Sequence, residues 1–114
     1  MENIIVEKSK AFALRSIKLY KHLNENHKIS VISIQILKSG TSIGANVKEA
    51  IRAQSKPDFY AKLNVALKEA SETEYWLELL YESEYITKEQ FESIYYDCQE
   101  LLKILTAITK TQNK

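Results

Sequence analysis

The chain has 114 residues, with 16 Lys or Arg against 15 Asp or Glu, two Gly, one Pro and one Cys, and a net charge of +1. This length suits one domain with its own core, and so little glycine and proline argues against a fold of many strands and turns. No apolar run is long enough to cross a bilayer, no signal-peptide pattern opens the chain, and Cys98 has no intrachain partner, so a cytoplasmic, reducing location is expected.

The first helix is predicted at about 3–25. Ile5, Phe12, Leu19 and Leu23 recur on one face, and Val6, Ala13, Ile17 and Tyr20 widen it. Asn24, Glu25, Asn26 and His27 then form a polar turn. A second helix is predicted at about 30–53, with Ile32, Ile36, Ile43, Val47 and Ala50 on one stripe. The alternation from Ile29 to Ile36 is short and has no partner strand, so it reads as helix. Within this helix cluster Ser39, Gly40, Thr41, Ser42, Gly44 and Ala45. Gly and Ser are mediocre helix formers, and their grouping at mid-helix points to close approach of a neighbouring helix.

Ser55-Lys56-Pro57-Asp58 marks a boundary: Ser55 can cap a new helix, Asp58 can answer it, and proline suits a first turn. The third helix, about 56–84, carries Phe59, Leu63, Ala66, Ala70, Thr73, Leu77 and Leu80 in heptad spacing. Thr87 and Gln90 form a capping box for a fourth helix at about 88–110. Its stripe is Phe91, Ile94, Cys98, Leu101, Leu105 and Ile108. Short connections make neighbours antiparallel. The expected fold is an all-α, up-down-up-down four-helix bundle occupying 1–114 as one domain.

Charge is unevenly spread. Residues 1–56 hold ten cations and four carboxylates, whereas residues 57–114 hold six and eleven. The basic half can pair with the acidic half of the same chain, with that of another subunit, or with phosphate. Aromatic content adds a second theme. Tyr60, Trp76, Tyr81, Tyr95 and Tyr96 exceed what one stripe per helix needs, which predicts an oligomer interface on helices three and four. A thick core would use the same residues.

The segment Ser42-Ile43-Gly44-Ala45-Asn46-Val47-Lys48-Glu49-Ala50, followed by Arg52 and Ser55-Lys56-Pro57-Asp58-Phe59, resembles the 23S rRNA-intervening sequence protein family. That family typically shows Ser-Ile-x-Ala-Asn-Ile-x-Glu-Gly, an Arg and a Ser-x-x-acid-Phe turn. Ala66 to Glu74 matches its following small-residue stretch and glutamate. Ala50 stands where the family often has Gly, which predicts a later end to the second helix. The resemblance implies a four-helix bundle that assembles as a barrel-like pentamer. Related accessory proteins of diversity-generating retroelements bind nucleic acid and a reverse transcriptase, so it also implies a nucleic-acid-associated adaptor.

Ser42, Asn46 and Glu49 share one helix face, with Arg52 one turn on. They read as a polar ladder that fixes helix register, with Arg52, Ser71 and Glu72 as available partners. Enzyme chemistry finds little support. His22 and His27 lack the spacing of a helical two-His site, and neither a Glu-x-x-His motif nor a phosphate-cradling glycine loop occurs. No metal or cofactor is expected. Arg15 and His22, two turns apart, loosely resemble the catalytic motif of HEPN ribonucleases, a remote alternative.

The leading expectation is a non-enzymatic homo-oligomer that binds RNA or DNA through Lys8, Arg15, Lys18, Lys21, Lys48 and Arg52, with Lys10, Lys38 and Lys56 extending the patch. The rival is a protein-interaction scaffold that docks its partner on the Tyr/Trp surface. No membrane role is expected.

Overall fold

The computed structural model describes residues 3–113 and contains four helices, α1 (Asn3–Glu25), α2 (Val31–Ile51), α3 (Lys56–Glu82) and α4 (Lys88–Thr109), then a short 3₁₀ turn, Lys110–Asn113. Every neighbouring pair is antiparallel, as contacts in opposite chain order show. Ser9 and Ser16 of α1 face Gly44 and Gly40 of α2. Ser39 and Glu49 of α2 meet Thr73 and Lys62 of α3. Ala70 and Glu78 of α3 meet Cys98 and Tyr95 of α4. Lys8 and Arg15 of α1 meet Glu100 and Asp97 of α4. This is the up-down-up-down bundle that the apolar spacing predicts, drawn out to 46 × 21 × 19 Å.

The core is built from the predicted stripes, except that Ile17, expected to widen the α1 face, is 38% exposed, and Leu19, Ile32, Phe91 and Ile108 only flank it. Ile5, Phe12, Ile36, Ile43, Leu63, Leu77, Leu101 and Leu105 are each at most 2% exposed. Deleting one such side chain costs about 2–5 kcal/mol, so each stripe is a strong constraint on register. The α1–α4 seam is the thinnest of the four helix contacts.

The α1–α2 and α3–α4 turns are built in the same way. After α1, Lys28 N–H donates to Leu23 O (2.7 Å) and His27 N–H to Asn24 O. After α3, Tyr85 N–H donates to Leu80 O (3.0 Å) and Glu84 N–H to Tyr81 O. Both are Schellman-type ends, and both put a non-glycine residue in the left-handed region: His27 at φ 57° and Glu84 at φ 67°. Three residues on, a hydroxyl residue caps the next helix in each case. Ser30 exchanges bonds with Ser33, and Thr87 with Gln90.

Helix ends differ from the sequence expectation by a residue or two. The second helix stops at Ile51, neither reaching residue 53 nor extending later. Arg52 and Ala53 donate to Glu49 O and Ala50 O, tightening the end so that Ser55 can take an extended N-cap conformation. The third stops at Glu82 because the left-handed Glu84 cannot continue it. Ser55 accepts from Asp58 N–H at 3.2 Å, but the return bond from the Asp58 side chain is not formed. Asp58 still favours the first turn through the helix dipole. The Ser30–Ser33 box carries no acid or amide at its third position, which hid it from the sequence reading.

Candidate nucleic-acid interface

The predicted basic residues divide into two groups. Lys8 and Arg15 point across the seam at α4. Lys8 Nζ donates to Glu100 Oε1 at 2.9 Å, and this hydrogen bond raises the lysine pKa above its ordinary value. Arg15 Nη1 donates to Asp97 Oδ2 (2.6 Å) and Ser93 O (3.2 Å), while Nη2 donates to Ser93 Oγ (3.0 Å). Both pairs are more than a third exposed, so solvent screens them and they add little to stability. They nonetheless occupy these cations. Part of the basic half thus pairs with the acidic half of its own chain.

Lys18, Lys21, Lys48 and Arg52 are exposed and carry no ion pair among the described residues. The same holds for Lys10. Lys48 and Arg52 stand between two open hollows near the C-terminal end of α2. One, of about 450 Å³, lies between α1 and α2. The other, of about 470 Å³, runs toward Asp58 and Lys62 of α3.

Ser42, Asn46 and Glu49 make mostly local bonds. Ser42 Oγ donates to Lys38 O (2.7 Å) and Asn46 Nδ2 to Ser42 O (2.9 Å), both within α2. Glu49 reaches α3, where Lys62 lies at 3.3 Å. Ser71 and Glu72 are exposed rather than turned to this line. The buried polar contact between α2 and α3 is instead Ser39 with Thr73, 2.8 Å apart, both in the core. Thr73 Oγ1 also lies 2.7 Å from Glu69 O. A carbonyl can only accept, so the Thr73 proton goes to Glu69 and Ser39 donates to Thr73. Sequence reasoning placed Ser39 among small spacers and Thr73 in a heptad; their opposed positions were the available signal.

The aromatic residues expected to form an interface are largely used within the bundle of this chain. Tyr60 is 7% exposed and its hydroxyl meets Thr111. Tyr81 stacks on Phe91, which in turn packs on Tyr95. The Tyr95 hydroxyl donates to Glu78, and that bond, followed by burial, raises the phenol pKa strongly. Trp76 packs against Tyr75 and the core, and its buried indole N–H lacks a partner among the described residues. Tyr96, at 67% exposure, faces outward. Four of the five rings therefore widen the core, because wide stripes let a bundle bury aromatic bodies at its helix seams.

Arg15 and His22 do border one hollow of about 430 Å³ between α1 and α4, together with Glu89, Gln90 and Ser93. The Arg15 guanidinium is held by Asp97 and Ser93 rather than open to a phosphate. His22 is exposed, with Asn26 Nδ2 at 3.4 Å from its Nδ1. Cys98 is buried and donates to Ala70 O at 3.4 Å. Burial, then Glu74 and Glu78, pushes its thiol up to about 12, which suits a packing role rather than a nucleophile. Among the described residues no three His, Cys, Asp or Glu cluster as a metal site would need, and no helix is long and apolar enough to cross a membrane.

Four antiparallel helices around a single apolar core define a four-helix bundle protein. A family model described as 23S rRNA-intervening sequence protein matches residues 1–107, and the chain belongs to that family. It is also similar to a solved structure from Bacteroides thetaiotaomicron, described as a protein of unknown function from the S23 ribosomal protein family. The two share 58% identity over 95% of this chain and 96% of that one, with a TM-score of 0.92. No curated protein shows significant similarity to the chain.

Proposed function

We propose that this protein is a non-enzymatic RNA-binding adaptor that works as a homo-oligomer, a pentamer by family resemblance. The observation that carries the reading is the uneven use of charge. Carboxylates of α4 take up Lys8 and Arg15, whereas Lys10, Lys18, Lys21, Lys48 and Arg52 are left without ion pairs among the described residues. Unpaired cations repeated around a ring would form a positive band able to follow a phosphate backbone. The family description names an intervening sequence of 23S rRNA, which supports RNA as the polyanion. Self-association is supported by Leu14, Ile17 and Ile34, each more than a third exposed although large and apolar.

The test is fluorescence anisotropy of a labelled structured RNA at two salt concentrations, with the RNA then run on a denaturing gel. Binding that weakens steeply with salt while the RNA stays intact supports the reading. Cleavage would revive a ribonuclease centred on Arg15 and His22. Absence of binding at low salt would instead favour a protein-interaction scaffold, a reading that exposed Tyr75 and Tyr96 support.

A further inference from the structure

We infer that the furrow between α1 and the C-terminal half of α2 is the place where this protein seats single-stranded RNA, an inference that rests on the RNA-binding reading above. The furrow is lined by apolar Val6, Ala13 and Val47, and exposed Ile51, Lys10, Lys48 and Arg52 stand at its edge. None of these three cations has a carboxylate within ion-pair distance among the described residues. That sets them apart from Lys8 and Arg15, which lie on the same helix as Lys10 but turn to α4. The cationic edge does not end at the furrow. Ala45, Lys48 and Arg52 also border the adjoining hollow, which extends over the end of α2 to Lys62. Two carboxylates line that second hollow, and Glu49 is already engaged by Lys62, leaving Asp58 as the repulsive one.

An apolar lining edged by cations matches a strand whose bases are unpaired. The phosphates can lie along the cationic edge while base faces cover Val6, Ala13 and the side of Ile51; a duplex keeps its base faces stacked inside. The furrow also offers a group that distinguishes ribose from deoxyribose. Thr41 lines it, and its hydroxyl proton is given to Leu37 O at 2.8 Å. The oxygen is left as an acceptor, which a 2′-OH can use and deoxyribose cannot.

The experiment compares two triple variants of equal charge by anisotropy with a labelled 15-nucleotide oligouridine over a salt series. One is Lys10→Gln/Lys48→Gln/Arg52→Gln and the other is Lys68→Gln/Lys88→Gln/Lys103→Gln, three exposed lysines outside the proposed band. Glutamine keeps helix propensity close to that of lysine and arginine, and circular dichroism confirms that both variants fold. The furrow variant is expected to bind at least tenfold more weakly than the control variant. Its plot of log K against log salt should flatten by about 2, at roughly 0.7 per lost single-strand phosphate contact. Equal losses in the two variants would show diffuse attraction and overturn the furrow while leaving RNA binding intact. No oligouridine binding by the unmodified protein would overturn the furrow, while the structured-RNA titration decides the RNA reading separately: binding there would keep it, and no binding at low salt would end both. A parallel titration uses the matching oligodeoxyuridine. It should bind more weakly than the ribose probe, and Thr41→Val should narrow that gap; equal binding of both probes to the unmodified protein would sink the assignment to RNA.

Discussion

Gly40 of α2 lies so close to Ser16 of α1 that a methyl group added to it would stand 2.9 Å from the Ser16 Cβ. The small-residue cluster of α2 therefore acts on α1, and it does so through specific pairs. Gly44 is the second, where an added Cβ would meet the Ser9 carbonyl at 3.2 Å.

Gly40→Ala is expected to destabilise the protein by about 1–3 kcal/mol, because overpacking outweighs the roughly 1 kcal/mol that alanine adds as a better helix former. Adding Ser16→Gly should recover part of the loss, since it removes the atom in the way. Urea unfolding of the two single variants and the double variant measures this coupling. Strict additivity would show that the contact is not the cause.

The Ser39–Thr73 pair makes an asymmetric prediction. Thr73→Val removes the acceptor of a buried hydroxyl, at about 1–3 kcal/mol for the group left unsatisfied. Ser39→Ala should cost less, because Thr73 keeps its bond to Glu69 O. The double variant should be more stable than Thr73→Val alone. If the double variant is the least stable of the three, the donor direction given above is wrong.

Both hairpin turns hold a side chain where glycine is favoured. His27→Gly and Glu84→Gly should each raise stability by about 0.5–1 kcal/mol, the relief of left-handed strain less the entropy that glycine adds to the unfolded chain. Thermal melts of the two variants check this. A loss at either site would mean that its side chain has a role the turn geometry does not show.

Glu69 carries a pH signature. Burial first, then the neighbouring Glu72, raises its pKa above the ordinary 4.5, while Ser42 and Lys68 act in the opposite direction. A carboxyl whose folded pKa is raised favours the fold most below its unfolded pKa, and that advantage fades as pH rises through the folded value. Glu69→Gln should therefore give a small gain in urea midpoint at pH 7 and none near pH 3. A gain at both pH values would point to packing rather than charge.

The fold was legible because its main determinants are periodic. Ile36, Ile43 and Val47, or Ile94, Cys98 and Leu101, mark a buried face by spacing alone. The capping residues Ser55 and Thr87 fixed two helix starts to the residue. Which cations remain available was not legible, because pairing depends on the facing helix. Nothing local separates Lys8 from Lys10, yet a two-residue step turns one toward Glu100 and the other toward the furrow. The same holds for the tyrosines. Tyr95 and Tyr96 are adjacent, and only the helix seam decides that one bonds to Glu78 while the other faces water.

The antiparallel order of the helices also bears on how quickly the protein reaches its native state. The most extensive helix contacts join each helix to the next one along the chain, and the seam that brings α1 back to α4 is the slightest. Most native contacts therefore form without first closing a long loop, the topology associated with refolding in microseconds to milliseconds. Stopped-flow refolding complete within the dead time would fit, whereas a phase lasting seconds would reveal a slow step outside the bundle's local zippering, such as subunit assembly.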